Sequence, residues 1–182
     1  MSMTDIIVRQ ESADDIRAID VVNLSAFQGE AEAVLVTALR KSEDFIPELS
    51  LVAEIDHRIV GHILLSRAHL AQPAGEIDVL ALAPMAVVPS QSHRGIGSAL
   101  VRAALTKAAS LGWRAIIVVG HPEFYAKFGF EKASRRNIQC PLPVPEESVQ
   151  AIELIKGSLA GGGAIHYPVA LTEFFQRTKG AG

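Results

Sequence analysis

A chain of 182 residues, 49% of them hydrophobic and 20% charged, can bury one sizeable core, so a single domain over residues 1–182 is expected. The formal net charge of −3 gives no support to binding nucleic acid or an anionic membrane, and neither is expected as a partner. One cysteine, Cys140, leaves no internal disulfide and no multi-cysteine metal site; with no charged and apolar leader at Met1 to Asp5 and no uninterrupted apolar run of about 18 residues, the reading is soluble, unexported and cytoplasmic.

Ile6-Ile7-Val8 reads as a short first strand. Ser12, Asp14 and Asp15 suit the first turn of a helix whose buried face is read as Ile16, Ile19, Val22 or Asn23, and Phe27. After Gln28-Gly29 a second helix runs from about Glu30 to Lys41, with Val34, Leu35, Ala38 and Leu39 inward. Glu30 and Glu32 sit in its first turn, where the helix dipole favours acids; contact with a substrate is the other reading of them. Leu49 to Ile55 and Ile59 to Ser66 are β-rich runs joined by Asp56-His57-Arg58, an antiparallel hairpin with His62 inside it. Ile77 to Val88 is nearly all apolar, as in a strand covered on both faces, with Pro84 expected to break its ladder partway.

The stretch from Val87 to Leu111 carries the chemistry. Val87-Val88-Pro89 closes the apolar run, Ser92-His93-Arg94-Gly95-Ile96-Gly97-Ser98 turns the chain, and Ala99 to Leu111 follows with Ile96, Leu100, Ala103 or Ala104, Ala108 and Leu111 at helical spacing. The first amides of a helix lack partners and carry partial positive charge, so this is a place for an anion. Two glycines let backbone approach a phosphate closely, and His93 and Arg94 add donors beside it. A P-loop is excluded, because no Gly-Lys-Ser/Thr triplet follows; a dinucleotide fingerprint is excluded, because Leu100 stands where its third glycine belongs and Ile117 to Gly120 supply no acid. A plain strand-to-helix turn is the remaining alternative.

Ala115 to Val119 is a short buried strand, so strand, helix and strand form a crossover unit whose two strands should be parallel, with ligands outside their carboxyl ends. Then Gly120-His121-Pro122-Glu123 leads into Phe124-Tyr125-Ala126-Lys127-Phe128-Gly129-Phe130, a helix of about two turns that starts at Pro122 and stops at Gly129.

Val87 to Leu111 together with Phe124 to Phe130 resembles the GNAT superfamily of acyl-CoA-dependent N-acetyltransferases. The family's loop reads Gln or Arg, two residues, Gly, one residue, Gly or Ala, and its next helix commonly reads Phe-Tyr, two residues, Leu or Phe, Gly-Phe. In this register Ser92 stands where Gln or Arg is usual, with Gln91 one place early. The likeness extends to a bacterial subgroup of predicted acetyltransferases through Pro47-Glu48-Leu49-Ser50-Leu51-Val52-Ala53-Glu54, Val60-Gly61-His62-Ile63, Cys140-Pro141 and Val144-Pro145-Glu146-Glu147.

The resemblance implies an α/β (mixed α+β) GNAT fold, a twisted mixed sheet of about six to seven strands with helices on both faces. It implies acetyl-CoA as co-substrate, with no metal, and direct transfer to an amine. The cofactor would lie along Met85, Ala86, Val87 and Val88, with its pyrophosphate on the amides of His93 to Ser98 beside Ser92, and against Phe124, Tyr125 and Phe128. Met85 and Val87 would pair with the pantetheine arm as an edge strand pairs with a peptide. Tyr125 would protonate the leaving thiolate, against the plainer reading of a core aromatic. Glu30 and Glu32 would hold the acceptor amine, and His121 is either a turn residue or a base. The acceptor is a small-molecule or peptide amine; a longer acyl-CoA donor and a CoA-binding sensor that has lost turnover are the alternatives.

By periodicity Glu146 to Ile155 is helix or strand, and the subgroup resemblance puts a strand at Val149 to Ile155. Gly161-Gly162-Gly163 then connects to a final strand, Ala164 to Tyr167, and Leu171 to Lys179 reads as a helix within a tail of residues 171–182. Its Phe174 and Phe175 need a surface, either this domain's own or that of a second subunit in a homodimer.

Overall fold

A computed structural model describes residues 5–179; both ends of the expected domain, including the last three residues of the tail, lie outside them. The strands are β1 (Ile7–Gln10), β2 (Phe45–Ile55), β3 (Arg58–Gln72), β4 (Gly75–Val87), β5 (Ala115–Val119), β6 (Glu131–Lys132), β7 (Ile138–Gln139), β8 (Val149–Glu153) and β9 (Gly163–His166). The helices are α1 (Ile16–Phe27), α2 (Ala31–Arg40), α3 (Ile96–Ser110), α4 (Pro122–Ala126) and α5 (Val169–Lys179). The strands form one mixed sheet in the order β1-β2-β3-β4-β5-β8-β6, and β9 pairs with β3 and with β7. Among the described residues only β4 with β5 and β7 with β9 run parallel, so the expected crossover unit is present.

Alternation along the strands divides the core in two. Ile63, Leu65, Leu80 and Ile116 meet Leu100 and Val101 of α3 on one face. Leu64, Ala68, Val79 and Ile117 meet Ile19, Leu35, Leu39 and Phe175, from α1, α2 and α5, on the other. Two inward faces differ from the periodicity reading. In α1, Ile19, Val22 and Asn23 are buried while Ile16 and Phe27 are exposed. In α2, Val36 joins Leu35 and Leu39 inside, whereas Val34 is 57% exposed beside a shallow groove shared with α1, and Ala38 is exposed there too. α1 packs on β3 and β4 while α2 packs on α1 and α5, so the stripe each buries is narrower than its apolar stripe in sequence. On α3, Leu111 falls just past the last turn and is exposed.

The hairpin of β3 and β4 extends past Ser66 to Gln72, where β9 pairs with its far end. A Cβ on Gly163 would collide with the carbonyl of Ala71, so only glycine lets β9 approach this closely. β2 starts at Phe45, earlier than its apolar run, because exposed Pro47 and Glu48 sit in an irregularity between Phe45 and Ser50. β8 ends at Glu153 and leaves Ile155 exposed. Pro84 does not end its ladder. Ile63 pairs with Met85 and Leu65 with Leu82, so Ala83 and Pro84, joined by a cis peptide, lie together opposite Leu64 as a bulge.

A buried polar network ties β1, α2, β2 and β3. Arg40 donates to both Glu11 oxygens at 2.9 and 3.1 Å, and Ser50 Oγ donates to Glu11 at 2.5 Å. With its only hydrogen committed there, Ser50 accepts from His62 Nε2 at 3.0 Å, which fixes the tautomer of that fully buried ring. His62 is thus a hydrogen-bonded core residue, as its sequence context suggested.

Candidate active site

β4 and β5 pair from Leu80 and Ile116 only as far as Leu82 and Val118, and then they part. The bulge at Ala83 and Pro84 stands at that point. Beyond it the Val88 amide donates to Val60 O at 2.9 Å, so the backbone edge of every second residue, Ala86 included, is turned toward β3. Met85 and Val87 therefore point their N–H and C=O groups the other way, where no strand among the described residues pairs with them. A cavity of about 1000 Å³ fills the gap. It is lined from α3 and its loop on one face of the sheet and from α1, α2 and α5 on the other, so it passes through the sheet between the separated strands.

At one end stands the start of α3. Gly95 is its N-cap at φ +80° and His93 lies at φ +64°, a tight turn that brings successive amides onto one concave side. Among the described residues, the amides of Gly95, Ile96, Gly97 and Ser98 find no partner, whereas Ala99 already donates to Gly95 O. A Cβ at Gly95 would meet nothing within 4 Å, so the backbone conformation calls for glycine and the approach to these donors is open. Lys127 Nζ lies 4.5 Å above the Phe124 ring and also lines the cavity. Four orphaned amides at a helix start, with His93 and Lys127 near, fit a phosphate-bearing group.

Tyr125 sits at the centre of the cavity wall. Its ring packs edge-on to Phe124 and Phe130 at 5.0 and 5.4 Å, and Gly120 is glycine because a Cβ there would stand 2.5 Å from the ring. Burial pushes the phenol up to about 12, so it is protonated at neutral pH. Among the described residues nothing hydrogen bonds to its hydroxyl.

The cavity collects Met85 and Val87 with Ser92, His93, Gly95 and Ile96. Gly97, Ser98, Phe124, Tyr125, His121 and Glu32 line it too. Other expected residues stand outside it. Ala86 is 3% exposed with its backbone edge engaged by β3, and Val88 is held to Val60. Arg94 turns away to donate to Gln91 Oε1 at 2.5 Å. Phe128 stacks behind Phe124 under Arg102. Glu30 borders the groove between α1 and α2, apart from Glu32, so the two acids do not form one pocket. His121 is exposed, and its carbonyl accepts from the amides of Phe124 and Tyr125 as the turn into α4. Sequence reasoning left out Phe27, Leu35 and Thr178; Phe174 and Phe175 were read only as needing a surface, and that surface is this chain's own core and cavity. Among the described residues no metal-sized cluster of His, Cys, Asp or Glu is present, and no helix is long and apolar enough to cross a membrane.

Residues 47–132 match the acetyltransferase (GNAT) domain. The chain is 36% identical over 145 residues to the uncharacterized N-acetyltransferase YjhQ of Escherichia coli K12, covering 78% of this chain and 77% of that protein. It is 30% identical over 163 residues to the uncharacterized N-acetyltransferase YhbS of the same strain, covering 88% and 95%. Among solved structures, that of Escherichia coli YhbS in complex with CoA superposes with a TM-score of 0.86 at 27% identity, over 94% of each chain. A GNAT family acetyltransferase from Brucella melitensis in complex with acetyl-CoA gives 0.75 at 26% identity, over 92% of this chain and 99% of that one.

Proposed function

The chain belongs to the GNAT family of N-acetyltransferases, and we propose that within it this protein moves the acetyl group of acetyl-CoA directly to a primary amine. The observation that carries the donor is the row of unpartnered amides from Gly95 to Ser98 at one end of a cavity that runs along a free strand edge. The CoA and acetyl-CoA in the two similar structures support the same choice.

In this reading the amides of Gly95 to Ser98 hold the pyrophosphate, with Lys127 and His93 beside it. Met85 and Val87 pair with the pantetheine amides through their outward backbone edges. Bound acetyl-CoA supplies an activated acyl carbon, at which the amine forms the C–N bond as the C–S bond breaks. The amine attacks in its neutral form, its ammonium proton having gone to solvent; Tyr125 then donates its phenolic proton to the departing thiolate and is restored by the second proton the nitrogen sheds. In this reading His121, exposed and lining the cavity, is the candidate base that takes that proton from the amine, its other reading being the turn residue that opens α4.

Calorimetric titration with acetyl-CoA, octanoyl-CoA and NADH tests the donor site in the wild-type chain and in Gly95→Glu. Acetyl-CoA is expected to bind selectively, and Gly95→Glu to lose that binding while still unfolding cooperatively at a somewhat lower temperature, since a Cβ there meets nothing within 4 Å but the left-handed φ of +80° strains any residue other than glycine. Preference for octanoyl-CoA would redirect the reading to longer acyl transfer. Undiminished affinity in Gly95→Glu would mean that the loop does not hold the phosphates.

A further inference from the structure

The exposed apolar side chains of this fold are not spread evenly. Of the nine large ones among the described residues, five lie on the two short helices α1 and α2, and Val21 and Val34 are more than half exposed. Between these helices runs a shallow groove, to which α2 contributes Ala33, Val34, Thr37 and Ala38 with Glu30 at its start and Lys41 at its end. α1 forms the other bank through Asp20 and Leu24. We propose that a second copy of the chain docks on this groove, α2 lying antiparallel against its mate across a two-fold axis. The inference is independent of the reaction proposed above.

Three observations carry it. The first is spacing. Residues 30, 33, 34, 37, 38 and 41 fall three or four apart and so form one stripe along α2. That stripe is symmetric about the point midway between Leu35 and Val36, so a second copy reversed over this point sets Glu30 against Lys41, Ala33 against Ala38 and Val34 against Thr37. Each contact then occurs twice, as a two-fold interface requires. The second is charge. The stripe ends in a carboxylate at Glu30 and an ammonium at Lys41, and among the described residues neither is engaged within its own chain. An antiparallel mate offers each end its opposite, whereas a parallel mate would offer each its like, and a segment of one sign could satisfy only one end. The third is shape. Ala33 and Ala38 carry nothing beyond Cβ, which lets two helices approach closely, and Val34 is the protruding apolar group that each copy would cover. α2 presents this stripe rigidly, because Leu35, Val36 and Leu39 hold it in the core. The same two helices wall the cavity through Phe27 and Leu35, so a mate seated on the groove braces that wall from outside.

Sedimentation velocity of the full chain, over about a hundredfold range of concentration, reads the association. A monomer–dimer equilibrium is expected. Val34→Glu, which puts a carboxylate in the middle of the contact, should weaken it at least tenfold while the thermal transition stays within a few degrees of wild type. Glu30→Lys and Lys41→Glu should each weaken the dimer about tenfold, and the double variant should restore it. An equimolar mixture of the two single variants is the sharpest sample: antiparallel pairing puts opposite charges at both ends of a mixed dimer, so each variant should bind the other more tightly than it binds itself. A chain that stays monomeric at every concentration would overturn the inference, as would a dimer indifferent to Val34→Glu, which would place the contact on another face. Failure of the single variants to complement each other would overturn it too, since any other orientation or occupant pairs the charges differently.

Discussion

At the scale of single residues, Tyr125 separates packing from chemistry. Its ring is fixed by Phe124, Phe130 and the bare backbone of Gly120, and its hydroxyl stays proton-bearing because burial holds the phenol near 12. Tyr125→Phe keeps every ring contact and removes only the proton. It should lower kcat by about 10²-fold, within the range of positioned acid catalysis, with acetyl-CoA affinity unchanged by calorimetry. An unaltered rate would return Tyr125 to the core. The place of Tyr125 in the cavity wall was legible from the sequence because its neighbours in the chain are its neighbours in the motif. The reason for Gly120 was not, since the ring that forbids a side chain there arrives only when α4 folds back over the end of β5. Arg94 shows what motif and spacing do not reveal: its guanidinium donates to Gln91, three residues earlier, whose side chain lines the cavity.

At the scale of elements, the join between α2 and the antiparallel strands is acid-labile. Burial alone would raise the Glu11 carboxyl; hydrogen bonds from His62, Arg40 and Ser50 outweigh it and bring it down to about 2. The unfolded chain takes up that proton near the ordinary value of 4.5, so the stabilisation is complete above that pH and lost as pH falls toward 2. Burial pushes His62 down and keeps it neutral, and the unfolded ring charges first, so stability already declines as pH falls below 6.5. Glu11→Gln should therefore be less stable than wild type near neutral pH and lose less between about pH 4.5 and 2.5, as read by denaturant midpoints. A parallel acid limb in the variant would place the lability elsewhere. The strands themselves were legible where they are continuously apolar. Their ends were not: the outer half of the β3 and β4 hairpin carries Arg67, His69 and Asp78, polar residues that pair because β9 and the hairpin itself support them. The inward face of α2 was misread because one of its two helical neighbours, α5, comes from the far end of the chain.

At the scale of the whole molecule, one part of the cavity wall comes from a single segment of about forty residues, Met85 to Phe124, so motif and spacing made its grouping legible. The rest of its wall assembles residues 27 to 35 with 174 to 178, whose meeting no local pattern announces. The sheet joins these parts by failing to close between β4 and β5. That gap has a kinetic consequence. If donor and acceptor approach from opposite faces of the sheet, as the lining from both faces suggests for the proposed reaction, neither must leave before the other enters, and acetylated amine and CoA depart without crossing. Initial-rate plots against both substrates should intersect, with each product competing only with the reactant that shares its side. Parallel lines, the mark of an acylated protein and a shared entrance, would contradict a passage open at both ends.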